Sequence, residues 1–294
     1  MRRSLSPRVR PVKGVNIHPK AVDFSGSNGS VWSNMWTTWD WTGWIKKSVD
    51  LAVAQGANAI RCIGSYDAVA GGYLTQATYL TRQTQLAAYC QSSGVRYYPC
   101  AGQLTQVAGA GASTLTTQAV ALANALAPYG DTVLGLDLAN EASGTWLSSS
   151  RAATLTYLTA TAAAIRAAGS TIPVTASMNT DQANVDSLAD FAKAVDFFDF
   201  HLYDRPLPAN RLMPMAIRSR RPFLVGEYGL SRTANSAAVV ADQHAQVQAV
   251  TAATPRCLGA FLWAAIDNDF GLYDESTVTA QTAVTGPFAT RPGA

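Results

Sequence analysis

Residues 133–141 read VLGLDLANE, and residues 223–229 read FLVGEYG. Each is an apolar run that closes on a glutamate, Glu141 in the first and Glu227 in the second. A short apolar run bounded by turn residues is the pattern of a strand buried on both faces, and such strands build parallel sheets. An ionisable residue at the end of such a run is costly to bury, so it needs a partner or a purpose.

Working outward, the same pattern returns at Gly14–His18, Ala57–Cys62, Arg96–Cys100, Pro173–Met178, Phe197–His201 and Leu258–Trp263. With Val133–Asn140 and Phe223–Glu227 this predicts eight strands. Turn signals precede several of them, at Gln55-Gly56, Ser93-Gly94 and Arg221-Pro222. Helical periodicity fills the gaps at Trp44–Ala54, Tyr79–Gln91, Ser113–Ala127, Leu147–Ala168, Asp181–Ala194 and Ala234–Ala253, with a shorter candidate at Leu212–Ser219. Strands alternating with helices in this way predict an α/β fold, a single-domain (β/α)8 TIM barrel. The open doubly wound alternative calls for a glycine-rich phosphate loop, and neither GxGxxG nor GxxxxGK[ST] occurs. The expected organisation is an N-terminal tail over 1–11, the barrel over 12–284 and a C-terminal coil over 285–294.

Composition narrows the function. The 294 residues are 48% hydrophobic and 14% charged, with a net charge of +3. That suits one large packed domain. It gives no basic stripe of the kind nucleic acid demands, and no apolar run is long enough to span a membrane. The basic cluster Arg2, Arg3, Arg8, Arg10 and Lys13 reads as a solvated tail. Cys62, Cys90, Cys100 and Cys257 show no metal-ligand spacing and read as buried hydrophobes, with a Cys62–Cys100 bridge open as an alternative. His18, His201 and His244 form no HxH pair, so no metal and no cofactor are expected.

In a barrel of this type, reacting groups sit where strands end. Strand one ends in Asn16 and His18, strand two in Arg61, strand four in Asn140 and Glu141. Strand six ends in His201 and Tyr203, strand seven in Glu227 and Tyr228, strand eight in Trp263, followed by Asp267, Asn268 and Asp269. Carboxylates ending strands four and seven face each other across a barrel mouth, which is what cleavage of a glycosidic bond requires.

The segments Leu138-Ala139-Asn140-Glu141, His201-Leu202-Tyr203, Gly226-Glu227-Tyr228-Gly229 and Trp263 resemble the motifs of clan A glycoside hydrolases. Ala57-Asn58-Ala59-Ile60-Arg61 resembles the second-strand motif of family 5, the cellulase- and mannanase-like family, and 269–274 resembles the run after its eighth strand. The resemblance spans about residues 12–275 and implies a retaining hydrolase of β-linked glycans, such as a β-glucan or β-mannan. It implies that Glu141 is the acid/base, protonated at rest, and that Glu227 is the ionised nucleophile. It implies that Arg61 neighbours Glu227 and favours its charge, that Tyr203 hydrogen-bonds it, and that Asn140 binds the sugar 2-hydroxyl. His201 would line the same subsite, and Trp263 would be the stacking floor. Each has a plainer alternative: Arg61 as a structural ion pair, His201 as a satisfied core histidine, Trp263 and Tyr203 as packing. One departure stands out. Family 5 commonly presents a histidine on strand three, whereas 97–103 reads YYPCAGQ, leaving Tyr98 or Gln103 to take its place, His18 at the end of strand one to fill the gap in part, or a neighbouring family to claim the chain.

Trp32, Trp36, Trp39, Trp41 and Trp44 crowd the long connection after strand one. Aromatic faces stack on pyranose rings, so Trp36 and Trp39, with Trp146 beyond Glu141, are expected as outer sugar platforms, against the alternative that they pin the loop to the barrel. The expected partner is an oligo- or polysaccharide bound by a monomer. The rival from another class is a barrel that binds glycan without cutting it, as in a cell-wall or virion adhesion module. No secretory signal is visible, so localisation stays open between a signal that has been trimmed away and an extracellular or phage-borne setting reached by another route.

Overall fold

The computed structural model describes residues 11–21, 31–64, 66–102, 111–142, 151–179, 188–203, 221–254 and 256–290. The strands are β1 (Val12–Ile17), β2 (Ala59–Ile63), β3 (Arg96–Cys100), β4 (Leu136–Asp137), β5 (Val174–Thr175), β6 (Ser177–Asn179), β7 (Phe198–Leu202), β8 (Phe223–Tyr228) and β9 (Cys257–Leu262). They pair in the order β5-β4-β3-β2-β1-β9-β8-β7-β6, all parallel. β5 and β6 are two halves of one strand interrupted at Ala176, so the sheet closes on itself. The result is a (β/α)8 TIM barrel.

The helices are α1 (Ser33–Thr38), α2 (Lys46–Ala54), α3 (Tyr66–Ala70), α4 (Gln76–Ser92), α5 (Gly111–Leu126), α6 (Arg151–Ala167), α7 (Leu188–Ala194), α8 (Ala237–Ala253) and α9 (Thr282–Thr290). The expected strands and long helices fall on these elements with shifts at their ends. The candidate at 212–219 lies outside the described residues, as do 147–150 and 181–187. A π-helical turn, Trp41–Ile45, leads into α2, where Asp40 accepts the amide of Gly43.

Alternation along each strand divides the core in two. Val12, Ala59, Tyr98, Leu134, Phe197, Leu224 and Phe261 point inward and plug the barrel floor. Val15, Ile17, Ile60, Val225 and Leu262 point outward into the larger layer beneath the helices. The floor is tight: a Cβ on Gly14 would come 2.2 Å from Phe261 Cδ1. With the floor filled, the barrel interior is open to a ligand at the rim above it, where strands end.

Three expectations are corrected here. Lys13, read with the solvated N-terminal tail, is buried in β1 with its ammonium over the Phe288 ring. The coil expected from residue 285 is, through residue 290, the second half of α9. Gly286 and Pro287 read as breakers, yet Val284 and Phe288, four apart, are both buried, and Lys13 Nζ caps this helix by donating to Ala289 O at 3.2 Å. Tertiary burial outweighs local propensity. The Cys62–Cys100 bridge is absent; all four cysteines are free thiols. Their strands pair one residue out of step, Cys62 opposite Pro99 and Ile63 opposite Cys100.

Candidate active site

Inward-facing positions one layer above the floor are polar. Arg61 on β2 is fully buried and serves four partners at once. Its Nη1 donates to Asn16 Oδ1 at 3.0 Å and Glu227 Oε1 at 2.5 Å, and its Nη2 to Asp137 Oδ2 at 2.9 Å and Asn140 Oδ1 at 2.8 Å. Only a planar fork of N–H donors can do this. The guanidinium also sits 5.7 Å over the Tyr98 ring. Burial alone would lower the Arg61 pKa, but the surrounding negative charges, that of Glu227 foremost, outweigh it and raise it.

Glu227 reaches this layer through a bulge. Phe200 pairs with Val225 but His201 pairs with Glu227, so Gly226 is the extra residue. Leu224 and Gly226 already face inward; the bulge turns Glu227 inward as well. Gly226 must lack a side chain, since a Cβ there would lie 2.1 Å from Asp199 Oδ1. The second oxygen of Glu227, Oε2, accepts from Tyr203 Oη at 2.6 Å.

Glu141 approaches from the other side. Its backbone is left-handed, φ 49°, a conformation that costs a glutamate about 1–3 kcal/mol and tends to persist at functional sites. Its amide is anchored by donation to Ser177 Oγ at 2.9 Å. His201 joins the two acids: Nδ1 lies 3.0 Å from Glu141 Oε1 and 3.4 Å from Glu227 Oε2. One oxygen from each glutamate and a nitrogen of His201 all lie within 4.8 Å of one another. Burial opposes a charge on His201, but the Glu227 carboxylate and the hydrogen bond to Glu141 outweigh it and raise its pKa. The environments of the acids differ. Glu227's side chain is 6% exposed and Glu141's 32%.

Trp263 follows β9 and remains partly exposed. His18 stacks on it with ring centroids 5.3 Å apart, and Trp32 meets it edge-on at 5.5 Å.

The structure thus gathers Arg61, Asn140, Glu141, His201, Tyr203 and Glu227 into one contact network at the mouth of the barrel. Trp36 does not join them. It is fully buried, its Nε1 donates to Ile63 O at 2.9 Å, and its ring stacks on Trp39. Trp39 stacks on Trp41 as well, carries Arg82 over its ring and donates to Gln85. These two pin the loop to the barrel wall, so the outer-platform expectation for Trp36 and Trp39 is corrected. Trp146 and Gln103 lie outside the described residues. Tyr98 does not reach the glutamates; its hydroxyl donates to Asp199 Oδ2 at 2.6 Å beneath them.

Sequence reasoning gave no role to Asn16, Asp137, Ser177 or Asp199. Asn16 Nδ2 donates to Gly226 O at 3.0 Å and Leu262 O at 3.2 Å, tying β1 to the ends of β8 and β9. Asp137 Oδ1 accepts the amides of Ala139 and Ser177 at 3.1 and 3.0 Å. A lone aspartate inside the apolar run 133–139 was the available signal.

With this geometry in view, comparison with solved structures is informative. Exo-β-1,4-mannosidase Op5Man5 from Opitutaceae bacterium strain TAV5 superposes with a TM-score of 0.72 at 19% identity, over 98% of this chain and 60% of that one. A GH5_18 protein from Bifidobacterium longum subsp. infantis gives 0.73 at 17% identity, over 97% and 79%. The GH5-4 broad specificity endoglucanase from Clostridium longisporum gives 0.68 at 18%, over 96% and 98%. The chain has the fold of family 5 glycoside hydrolases. It spans about 60% of the length of Op5Man5, and it matches the Clostridium enzyme from end to end. No family model matches the sequence, and no curated protein matches it. At these identities the family 5 likeness is one of backbone. The chemistry rests on the residues just described.

Proposed function

We propose that the protein is a retaining glycoside hydrolase acting on β-linked glycans of the β-glucan or β-mannan class. The observation that carries this is the proximity of Glu141 and Glu227, whose nearest carboxylate oxygens lie within 4.8 Å. Retaining enzymes hold their carboxyl groups about 5–5.5 Å apart, while inverting ones leave about 6.5–9.5 Å to admit a water.

The asymmetry of the pair supports one division of roles. Glu227 is buried, faces the fixed positive charge of Arg61 on one oxygen, and is oriented by Tyr203 on the other. It is the nucleophile, attacking the anomeric carbon to give a glycosyl-enzyme ester. Glu141 is the more exposed acid and is held by His201. It protonates the departing glycosidic oxygen, then removes a proton from the water that hydrolyses the ester. As negative charge leaves Glu227 in the first step, the hydrogen bond from Tyr203 and the pairing with Arg61 and His201 readjust around a neutral ester. Asn140, fixed through Oδ1 by Arg61, is set to contact the sugar beside the reacting carbon. Trp263 supplies the stacking surface.

A barrel that only bound glycan would gain nothing from a buried arginine forked between two carboxylates. The hydrolase reading uses every member of the network. Op5Man5 is named for exo-β-1,4-mannoside cleavage and the Clostridium protein for glucan cleavage, and these support a substrate panel of β-mannans, β-glucans, xylans and galactans. Reducing-sugar release from that panel by wild type, lost in Glu227→Gln, supports the reading. Release that persists undiminished in Glu227→Gln removes it.

A further inference from the structure

His18 is the last inward position after β1, following Val12, Gly14 and Asn16 at two-residue spacing, and the mechanism above leaves it unused. It is 3% exposed, in a chain whose other site histidine serves the glutamates directly. Its ring lies nearly parallel to the Trp263 indole, at 12° and 5.3 Å, so it covers one of the two faces of that platform. Its nitrogens are both engaged. Nδ1 lies 2.5 Å from Pro19 O and Nε2 3.3 Å from Asp267 Oδ2. Both contacts are to oxygens, so the ring is held at each nitrogen end. Trp44 closes the far side, meeting His18 edge-on and donating from Nε1 to His18 O at 2.6 Å.

Asp267 is equally committed. Its Oδ1 accepts the amides of Asp269 and Phe270, each at 2.7 Å, and its backbone bonds Tyr273 and Gln281. Burial would raise its pKa, but the hydrogen bond and charge of His18, with those two amides, outweigh it and lower it. The turn it organises places Phe270 edge-on to Tyr203, the residue that orients Glu227.

We propose that His18 and Asp267 are positioning residues that fix the tilt of Trp263, so that the part of the indole left exposed meets a single pyranose ring in the register of Glu141 and Glu227. The proposal rests on reading Trp263 as the sugar platform. A partly exposed indole on a loop is otherwise free to rock, and a rocking platform binds less tightly because its order must be restored on binding. The His18 slab on one face and the Asp267 anchor behind it remove that freedom.

The test uses the full chain labelled with nitrogen-15 at the tryptophan indoles, with the Trp263 resonance assigned by its disappearance in Trp263→Phe. In His18→Ala the Trp263 indole N–H moves as the stacked ring is lost. On a 4-nitrophenyl β-glycoside that wild type cleaves, KM rises about tenfold while kcat stays within about threefold. Asp267→Asn, which keeps the turn's acceptor oxygen, moves the same resonance by less and raises KM by about threefold. A purely structural role lowers kcat with the folded fraction and leaves KM unchanged. That result, or an unmoved Trp263 resonance in both variants, overturns the proposal. If no glycoside is cleaved the hydrolase reading fails, and the indole resonance alone decides whether His18 and Asp267 hold Trp263.

Discussion

Arg61 Nη1 lies 2.5 Å from Glu227 Oε1, with both side chains enclosed by the barrel and Arg61 fully buried. A buried pair of this kind is worth little against an apolar replacement, but removing one member strands the other charge. Stability and catalysis are therefore joined at this contact. Arg61→Met takes the arginine charge from Glu227 and Asp137 in the interior, leaving them His201, Tyr203 and backbone amides, and is expected to cost about 3–5 kcal/mol of folding stability. Arg61→Lys is the sharper probe. A lysine keeps the charge but cannot fork to Asn16, Glu227, Asp137 and Asn140 together. Urea unfolding and kcat are both expected to fall, kcat by about a hundredfold or more, two tenfold steps of about 1.4 kcal/mol each. Wild-type values of both in the Arg61→Lys variant would refute the network.

Tyr203→Phe removes one hydroxyl. A hydrogen bond to a charged group contributes about 1.5–3 kcal/mol, so kcat/KM on the best panel substrate is expected to fall about tenfold to a hundredfold. KM is expected to change little, because the bond orients the nucleophile rather than the sugar.

Asp199 predicts a pH dependence of stability. Burial is the main cause that pushes its carboxyl up to about 7 in the fold. The unfolded chain releases this proton near pH 4. Between about pH 4 and pH 7 the folded state therefore holds a proton that the unfolded state has lost, and stability declines as pH rises through that window. His201, raised in the fold, acts in the same direction, its contribution being lost as pH rises through its folded value. The groups facing Asp199 are Tyr98, Arg61, Asp137 and His201. In Asp199→Asn the decline is expected to shrink to the His201 part. Urea midpoints measured from pH 4 to 8 check this, and parallel profiles for the two proteins would contradict it.

Gly226 and Asp199 are expected to behave as one unit. A methyl at Gly226 intrudes on Asp199 Oδ1 at 2.1 Å. Gly226→Ala is expected to destabilise by about 1–3 kcal/mol, as overpacking does. Made on an Asp199→Ala background, which empties the space, the same change is expected to cost markedly less. Equal costs on both backgrounds would show that the bulge, not the carboxylate, excludes the side chain.

Much of this was legible in the chain. Strands buried on both faces announce themselves as apolar runs, and runs such as 96–100 and 223–227 mark their strands within a residue or two. The strand-end residues Arg61, Asn140, Glu141, His201, Tyr203 and Glu227 could be placed because a closed barrel turns sequence position into location. What stayed hidden depended on contacts across the barrel. Asp137 and Asp199 sit within apolar runs, and their meaning comes from Arg61 and Tyr98 on other strands. The places of Trp36 and Trp39 are hidden for the same reason. An aromatic in a long loop serves ligand or wall according to the loop's path, and here the path runs along the wall, past Arg82 and Ile63. His18 carried no spacing signal at all, because its partners, Trp263 and Asp267, arrive from the opposite end of the chain.

The central claim is double displacement by Glu141 and Glu227, and the most direct measurement is the anomeric form of the first sugar released. Proton NMR of the earliest product from a cleaved β-glycoside is expected to show the β anomer, followed by slow mutarotation, with no product from Glu227→Gln. An α anomer appearing first would mean that water, not Glu227, attacks the sugar, and would contradict the account.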